Sequence, residues 1–157
     1  MSLSSPKLAV VNGAALKLGL VAACFNEELV DALVALTLAT LRAAGVKEKN
    51  LTVVRVPGSH EVPWAAQQLA ARGGRDAVIA LGVLIGGDTN HHEMVGQSVS
   101  QALQGIAVAT GVPVINGVIV TDTLAQAKAR TIGKINRGAE FGRAALAMAA
   151  LKKELSR

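Results

Sequence analysis

Apolar segments alternate with helix-like segments from one end of this chain to the other, and that alternation restricts the fold more than any other feature. Strands are predicted at 17–24, 50–56, 76–82 and 113–120, and helices at 27–44, 61–72, 92–110, 123–131 and 138–155. The third strand is continuously apolar, as expected for a strand that is buried on both faces. The pattern therefore predicts an α/β fold: a three-layer sandwich in which helices cover both faces of a four-stranded parallel sheet.

The length of 157 residues suits a single domain, which we place at residues 17–157. Residues 1–16 precede the first strand and form an N-terminal arm. Within the arm, residues 7–11 are mainly apolar and have nothing obvious to cover them in so small a monomer. We expect this arm to pair with the sheet of a neighbouring subunit.

The formal net charge of +5 is concentrated near the C-terminus, where residues 128–157 hold eight basic and two acidic residues. A local basic excess of this kind favours a phosphate or other anion as ligand. Nucleic acid is disfavoured, because Phe25, Phe141 and Trp64 are too few aromatic residues for a base-stacking surface. Near the C-terminal end, the alternative is that the basic residues simply form a solvated helix face.

The cellular setting is predicted from one cysteine and from the apolar runs. Cys24 has no second cysteine to pair with, so the chain fits the reducing cytoplasm, and we expect Cys24 to be a small buried side chain. The longest apolar run, 29–41, is interrupted by Asp31 and is too short to cross a bilayer, so no membrane partner is expected. The adjacent His91 and His92 are a weak ligand set for a metal ion, and none is expected.

Polar or glycine-containing loops follow all four predicted strands: 24–26, 57–61, 85–93 and the loop after residue 120. In a parallel sheet these loops meet at one edge, where ligands bind. Gly86 and Gly87 let the backbone approach a ligand with their N–H groups, and Asp88 or Thr89 can cap the third helix. His91 is the best general acid/base in the chain. The alternative is that the glycines form a plain turn and His91 lies on the surface.

Two further loop positions have a functional and a structural interpretation. Phe25 stands where a flat ring could be stacked on its side chain, or it closes the end of its strand. Ser59 and Glu61 could bind a polyol, could cap the second helix, or could do both.

Across residues 17–151 the chain resembles the lumazine synthase family in the order and spacing of several motifs. The matching segments are Phe25-Asn26, 56–63, 77–85, 87–91, 117–121 and Arg130. The resemblance implies a flavodoxin-like fold and the condensation of 5-amino-6-ribitylaminopyrimidinedione with 3,4-dihydroxy-2-butanone 4-phosphate, which releases phosphate and water. It implies no metal ion and no other cofactor.

Residue roles follow from the same resemblance. Nine residues are implied to bind the pyrimidinedione and its ribityl chain: Phe25, Asn26, Gly58, Ser59, His60, Glu61, Val83, Leu84 and Ile85. Phe25 stacks on the ring, and Ser59 with Glu61 binds the ribityl chain. The amides at Asp88 and Thr89 hold the phosphate together with Arg130, whose planar guanidinium suits an oxyanion. His91 moves protons.

In the family the site lies between adjacent subunits of a pentamer, and twelve pentamers form a hollow shell in some members. The resemblance therefore implies a homo-oligomer that is a pentamer or a multiple of it, with riboflavin synthase as a candidate protein partner. Four residues are implied to face the neighbour's site: Asn116, Arg130, Arg137 and Glu140.

The chain departs from the common family pattern at several positions. Gly86 stands where many members have Lys or Arg, Asn116 where many have Phe, and His60 where an aromatic residue is common. Arg137 falls near a lysine that is often assigned to the site, and the segment from Arg130 to Glu140 is one residue shorter. Two alternatives remain open: a noncatalytic paralogue that forms a shell or binds flavin or lumazine, and a flavodoxin-like nucleotide binder.

Overall fold

A computed structural model describes residues 4, 6–135 and 137–157, in which four strands alternate with five helices. The strands are β1 Leu18–Ala23, β2 Leu51–Val56, β3 Ala77–Ile85 and β4 Val114–Thr121. The helices are α1 Glu27–Ala43, α2 Val62–Ala71, α3 His91–Thr110, α4 Leu124–Thr131 and α5 Arg137–Leu155. Short 3-10 turns, Glu48–Asn50 and Ser59–Glu61, precede β2 and α2. Every predicted element is present.

The four strands form one parallel sheet in the order β2-β1-β3-β4. Leu18 of β1 lies opposite both Leu51 of β2 and Ala77 of β3, which sets the register of the central strands. From β1 the chain first adds β2 on one side and later β3 on the other, so the strand order reverses between β1 and β3. Open α/β sheets bind their ligands outside the carboxyl ends of the strands at such a reversal.

Two hydrophobic cores lie on opposite faces of the sheet. One core joins side chains of α1, α4 and α5 to the sheet, with Leu33, Ile79 and Leu146 among its buried members. The other joins α2 and α3 to the sheet, and it includes Val62 and Leu103. The predicted three-layer α/β sandwich of the flavodoxin-like type is therefore confirmed.

Three details differ from the sequence-based expectations. β3 continues to Ile85, three residues beyond its predicted end, because it stays paired with β4 as far as Thr121. α3 begins one residue early, at His91, so Asn90 takes the capping position and makes no side-chain capping bond; the predicted cap by Asp88 or Thr89 is wrong.

The prediction that Cys24 is buried is also wrong, because its side chain is exposed. β1 ends at Ala23, and Cys24 is the first residue beyond the layer of buried side chains. Its main chain stays attached to the sheet, since the Cys24 N–H donates to the Val56 carbonyl at 2.8 Å. Nearby, partial burial lowers the pKa of the Arg55 guanidinium, but hydrogen bonds to Cys24 and Asp31 raise it by more, so the net shift is upward.

The arm forms neither strand nor helix between Pro6 and Gly13. Leu8, Ala9, Val10 and Val11 lie along a shallow groove between α1 and α5, close to Leu146. The side chain of Val10 is fully exposed, whereas Val11 packs against the core. Residues 1–3 and 5 lie outside the described residues, and pairing of the arm with a neighbouring subunit stays a prediction.

None of the helices in the described part of the chain combines the length and the apolar character needed to cross a bilayer.

Candidate active site

A cavity of about 710 Å³ opens at the carboxyl ends of β1, β2 and β3, where the strand order reverses. This volume is in the range of pockets that enclose small organic molecules. Eleven residues predicted as site residues line it: Phe25, Asn26, Gly58, Ser59, His60, Glu61, Val83, Leu84, Ile85, Thr89 and His91. The loops after three strands therefore meet at one edge, as the topology requires.

The loop after β1 presents an aromatic face and is attached to β3. The Phe25 side chain is 70% exposed, which is unusual for a phenylalanine and leaves one face of the ring free. Asn26 adopts a left-handed backbone conformation with φ of 56°, which asparagine tolerates better than most residues. Its Nδ2 donates to the Val83 carbonyl at 2.8 Å, so the loop is held against the end of β3.

The loop after β2 places a buried hydroxyl in the cavity. Ser59 is only 4% exposed, and its Oγ has no hydrogen-bond partner among the described residues. A glycine at position 82 of β3 makes room for it, because a Cβ there would overlap Ser59 Oγ. A buried hydroxyl without a partner is costly, and its place on the cavity wall makes Ser59 Oγ available to a molecule bound there.

Glu61 combines a structural and a binding position in the same loop. Its Oε2 accepts from the Gly58 N–H at 2.9 Å and thereby closes the 3-10 turn that precedes α2. Its Oε1 lies 3.9 Å from Nδ1 of the exposed His60 and remains able to accept from a ligand. Glu61 therefore caps the 3-10 turn and not α2 itself, which has no side-chain capping bond, so the predicted cap of the second helix is wrong; one carboxylate oxygen of Glu61 is left available.

His91 is the first residue of α3, and its exposed side chain lines the cavity. Within the described residues it makes no side-chain hydrogen bond or ion pair, so its ring is available for proton exchange with a bound molecule. Its position at the start of a helix also places it beside main-chain N–H groups that have no partner within the helix. Thr89 lines the cavity beside it, whereas Asp88 does not.

The two glycines before His91 have different roles. The Gly86 N–H donates to the Thr121 carbonyl at 2.7 Å, so the expectation that it is offered to a ligand is wrong. A Cβ at Gly86 would lie 2.6 Å from the main-chain oxygen of Asp122, so the loop after β4 packs directly on this glycine. Gly87 has open space around it and lines the cavity, as expected for a position where the backbone meets a ligand.

Five predicted site residues lie outside the cavity of this chain: Asp88, Asn116, Arg130, Arg137 and Glu140. Asn116 is exposed on β4, where its Oδ1 accepts from the Val118 N–H at 3.1 Å. The half-buried Arg130 donates from Nη1 to the Gln126 carbonyl at 3.0 Å. Arg137 and Glu140 form an ion pair at 2.6 Å. No lysine or arginine lines the cavity among the residues that the structure describes.

Three lining residues were missed by the sequence reasoning: His92, Met94 and Val95. Met94 and Val95 follow His91 by three and four positions, so the helical period places them on its face, and this signal could have identified them. The His92 side chain is 11% exposed, and neither ring nitrogen has a hydrogen-bond partner. Its Nε2 lies 3.5 Å from Oδ1 of Asp122, which is thirty positions away in the chain and could not be found by local spacing.

The arrangement brings together four chemical functions. It has a free aromatic face for a planar ring, a buried hydroxyl and a carboxylate oxygen for a polyol, an imidazole for proton transfer, and open main chain at Gly87 and Thr89. A cavity of this kind can hold a heterocycle with a hydroxylated side chain next to a second small reactant.

Comparison with known proteins gives a consistent result. The sequence profile of the family described as 6,7-dimethyl-8-ribityllumazine synthase matches residues 15–153. A 6,7-dimethyl-8-ribityllumazine synthase of Halorhodospira halophila is 43% identical over 140 residues, which cover 88% of this chain and 90% of that protein. Proteins of the same name from Thermococcus gammatolerans and Pyricularia oryzae are 39% and 37% identical, covering 91% of this chain in each case and 92% and 91% of those proteins.

Proposed function

Because this chain belongs to the 6,7-dimethyl-8-ribityllumazine synthase family, we propose that its cavity makes that lumazine. The reaction joins 5-amino-6-ribitylaminopyrimidinedione to 3,4-dihydroxy-2-butanone 4-phosphate and releases phosphate and water. It is a transferase step of riboflavin biosynthesis. One observation carries the proposal: the free ring of Phe25 and the unpartnered hydroxyl of Ser59 line the same cavity as His91.

The pyrimidinedione and its side chain match the inner part of the cavity. The exposed Phe25 ring stacks on the heterocycle, and Asn26 with the main chain of 83–85 borders its edge. The ribityl chain gives Ser59 Oγ the hydrogen-bond partner that it lacks, and the second oxygen of Glu61 accepts from another ribityl hydroxyl. Gly58 and His60 complete this end, and His60 supplies polar contact where an aromatic residue is common.

His91 is the proton carrier in this proposal. Imine formation, loss of phosphate and ring closure all require proton transfers, and an imidazole both accepts and donates near neutral pH. The remaining rate enhancement comes from holding two substrates in one cavity in a reactive orientation.

The phosphate of the second substrate requires positive charge that the cavity of one chain lacks. No lysine or arginine lines it among the described residues, yet Arg130 and Arg137 lie elsewhere on the same chain. We therefore propose that a neighbouring subunit contributes these residues, with Asn116 and Glu140, to complete the site. The amides at Asp88 and Thr89 contribute from the chain that holds the cavity.

Exposed apolar side chains support an assembly of this kind. Large hydrophobic residues are exposed on α2, α3, β4 and α4: Trp64, Met94, Val108, Val120 and Leu124. Within the described residues, β4 is also an edge strand, which pairs with β3 alone. Exposed apolar surface and an unpaired edge both favour burial against another chain. We propose a homopentamer or a multiple of it, located in the cytoplasm, with riboflavin synthase as the protein partner to test.

The decisive experiment mixes the purified full chain with both substrates and follows the lumazine chromophore against an enzyme-free control. The control is essential because the two substrates condense slowly unaided. A rate well above the control is the expected result. If the folded protein gives a rate equal to that of the control, the proposal is contradicted and a noncatalytic shell is favoured. If the purified protein is yellow because it carries bound flavin, a flavin binder is favoured.

A further inference from the structure

We propose that His92, Glu93 and Asp122 form a binding site for a divalent transition-metal ion, with Zn²⁺ as the best match. One ligand atom of each residue lies within 4.8 Å of those of the other two. The group unites the second and third residues of α3 with the loop after β4. The expectation of no metal came from the weak ligand set of neighbouring histidines and from the family resemblance, whereas this set depends on Asp122, which the fold brings near.

The spacing of His92 Nε2 and Asp122 Oδ1 suits metal coordination better than a direct hydrogen bond. His92 Nε2 and Asp122 Oδ1 are 3.5 Å apart, which is longer than an ordinary N–H···O hydrogen bond. Zinc binds imidazole nitrogen at about 2.0–2.1 Å and carboxylate oxygen at about 2.0–2.2 Å. At a tetrahedral angle these bonds place the two donors about 3.4 Å apart. A zinc ion therefore fits between the two atoms with little movement of either.

The surroundings of the His92 ring are the second observation. Both of its nitrogens are buried and have no hydrogen-bond partner among the described residues. Buried polar atoms normally have a partner, and a bound ion would supply one to the nitrogen that faces Asp122. Imidazole nitrogen and carboxylate oxygen are both ligand types that zinc accepts, and water can complete its coordination.

Hydrogen bonds fix the backbone of Asp122 and of Glu93. The Asp122 N–H donates to Gln126 Oε1 at 2.9 Å, and its carbonyl packs on Gly86. Glu93 lies in the first turn of α3, where its N–H donates to the Asn90 carbonyl at 3.1 Å. A metal ion at this site would therefore have to order the carboxylate side chains but not the backbone that carries them.

Charge also favours a cation here. In the described part of one chain, no lysine or arginine forms an ion pair with Glu93 or Asp122, and the ionisable group that Asp122 contacts is the His92 imidazole. The positive end of the α3 dipole offsets part of this attraction but does not reverse it, because it is equivalent to about half a charge. Since His92 also lines the cavity, the bound ion would lie beside it.

Zinc titration of the chelator-treated full chain, followed by calorimetry, tests this site without using catalysis. We expect one Zn²⁺ per chain in the wild type. His92→Phe and Asp122→Asn should each weaken binding by at least about tenfold, as expected when a ligand is lost. His60→Gln is the matched control, because His60 also lies beside a carboxylate but belongs to no such cluster, and its zinc affinity should equal that of the wild type.

Two results would overturn the proposal: a wild type that binds no zinc at millimolar concentration, or a His92→Phe variant that binds zinc as tightly as the wild type. If His92→Phe does not fold, His92→Gln replaces it. Asp122→Asn is expected to fold, because it changes a side chain that is 77% exposed. The readout is independent of turnover, so failure of this proposal is distinguishable from failure of the proposed synthase activity.

Discussion

The contact between Gly82 and Ser59 gives a prediction that couples stability to the site. An added Cβ at Gly82 would overlap Ser59 Oγ, while Ser59 Cβ would lie at 3.3 Å, a tight but tolerable distance. Ser59 is buried, so it cannot swing away into solvent. We therefore expect Gly82→Ala to destabilise the wild type and to be tolerated much better once the Ser59 hydroxyl is removed.

The magnitude follows from the two opposing effects. Overpacking a buried site destabilises a protein by about 1–3 kcal/mol. Replacing glycine by alanine in a compatible backbone stabilises it by about 0.4–1 kcal/mol, because the unfolded chain loses conformational entropy. Gly82 does not have a positive φ, so no backbone strain is added. Gly82→Ala alone should therefore cost about 1–2 kcal/mol, and in a Ser59→Ala background it should cost close to nothing.

The assay is thermal unfolding of the wild type, both single variants and the double variant at one protein concentration, since assembly makes the midpoint depend on concentration. For a chain of this size about 1 kcal/mol corresponds to a shift of roughly 2–4 °C. Ser59→Ala alone should leave the midpoint equal or slightly higher, because it removes a buried hydroxyl without a partner. An equal loss from Gly82→Ala in both backgrounds would refute the reasoning, because the two residues would then be uncoupled.

Three further predictions concern the site. His91→Ala should lower turnover by about 10²–10⁴ and leave assembly and the unfolding midpoint intact, because the side chain is exposed and forms no bond within the described chain. Arg130→Ala should mainly raise the KM for the phosphorylated substrate, by roughly tenfold or more, since hydrogen bonds to charged groups contribute about 1.5–3 kcal/mol. Gly86→Ala should destabilise by about 1–3 kcal/mol, because the obstacle is the main-chain oxygen of Asp122 at 2.6 Å and cannot rotate away.

Each of these has a clear contrary result. A His91→Ala protein as fast as the wild type would remove the proton-carrier assignment. If Arg130→Ala raised the KM values of both substrates equally, the arginine would not be specific for phosphate. An unfolding midpoint unchanged by Gly86→Ala would mean that the loop after β4 moves freely, contrary to its packing on Gly86.

The sequence predicted the fold well because its strands are unambiguous. Residues 77–82 are apolar at every position except the final glycine, and a strand buried on both faces requires that pattern. The prediction that Cys24 is buried was wrong because apolar character alone does not indicate where the buried layer ends. The prediction of the capping residue of α3 was wrong because Asp88, Thr89 and Asn90 are all suitable for that position. The start of α3 is therefore decided by packing.

The candidate site was predicted in part because the ends of the strands were predicted. Residues 25–26, 58–61 and 83–91 follow strands, and parallel pairing brings strand ends together whatever their separation in sequence. Asn116 and Arg130 could not be placed relative to the cavity in this way, because in one chain they lie outside it.

The sequence by itself thus determined the order of the elements, the apolar layers and the residues at the strand ends, since these depend on local periodicity. Only the tertiary structure decided which side chains meet across the chain: Asn26 with Val83, Gly86 with the main chain of Asp122, and the ring of His92 with the Asp122 carboxylate. The physical reason is that such a contact forms or fails with changes of a few tenths of an ångström in the distance between two distant segments. That distance is set by the packing of the whole molecule and not by local sequence pattern.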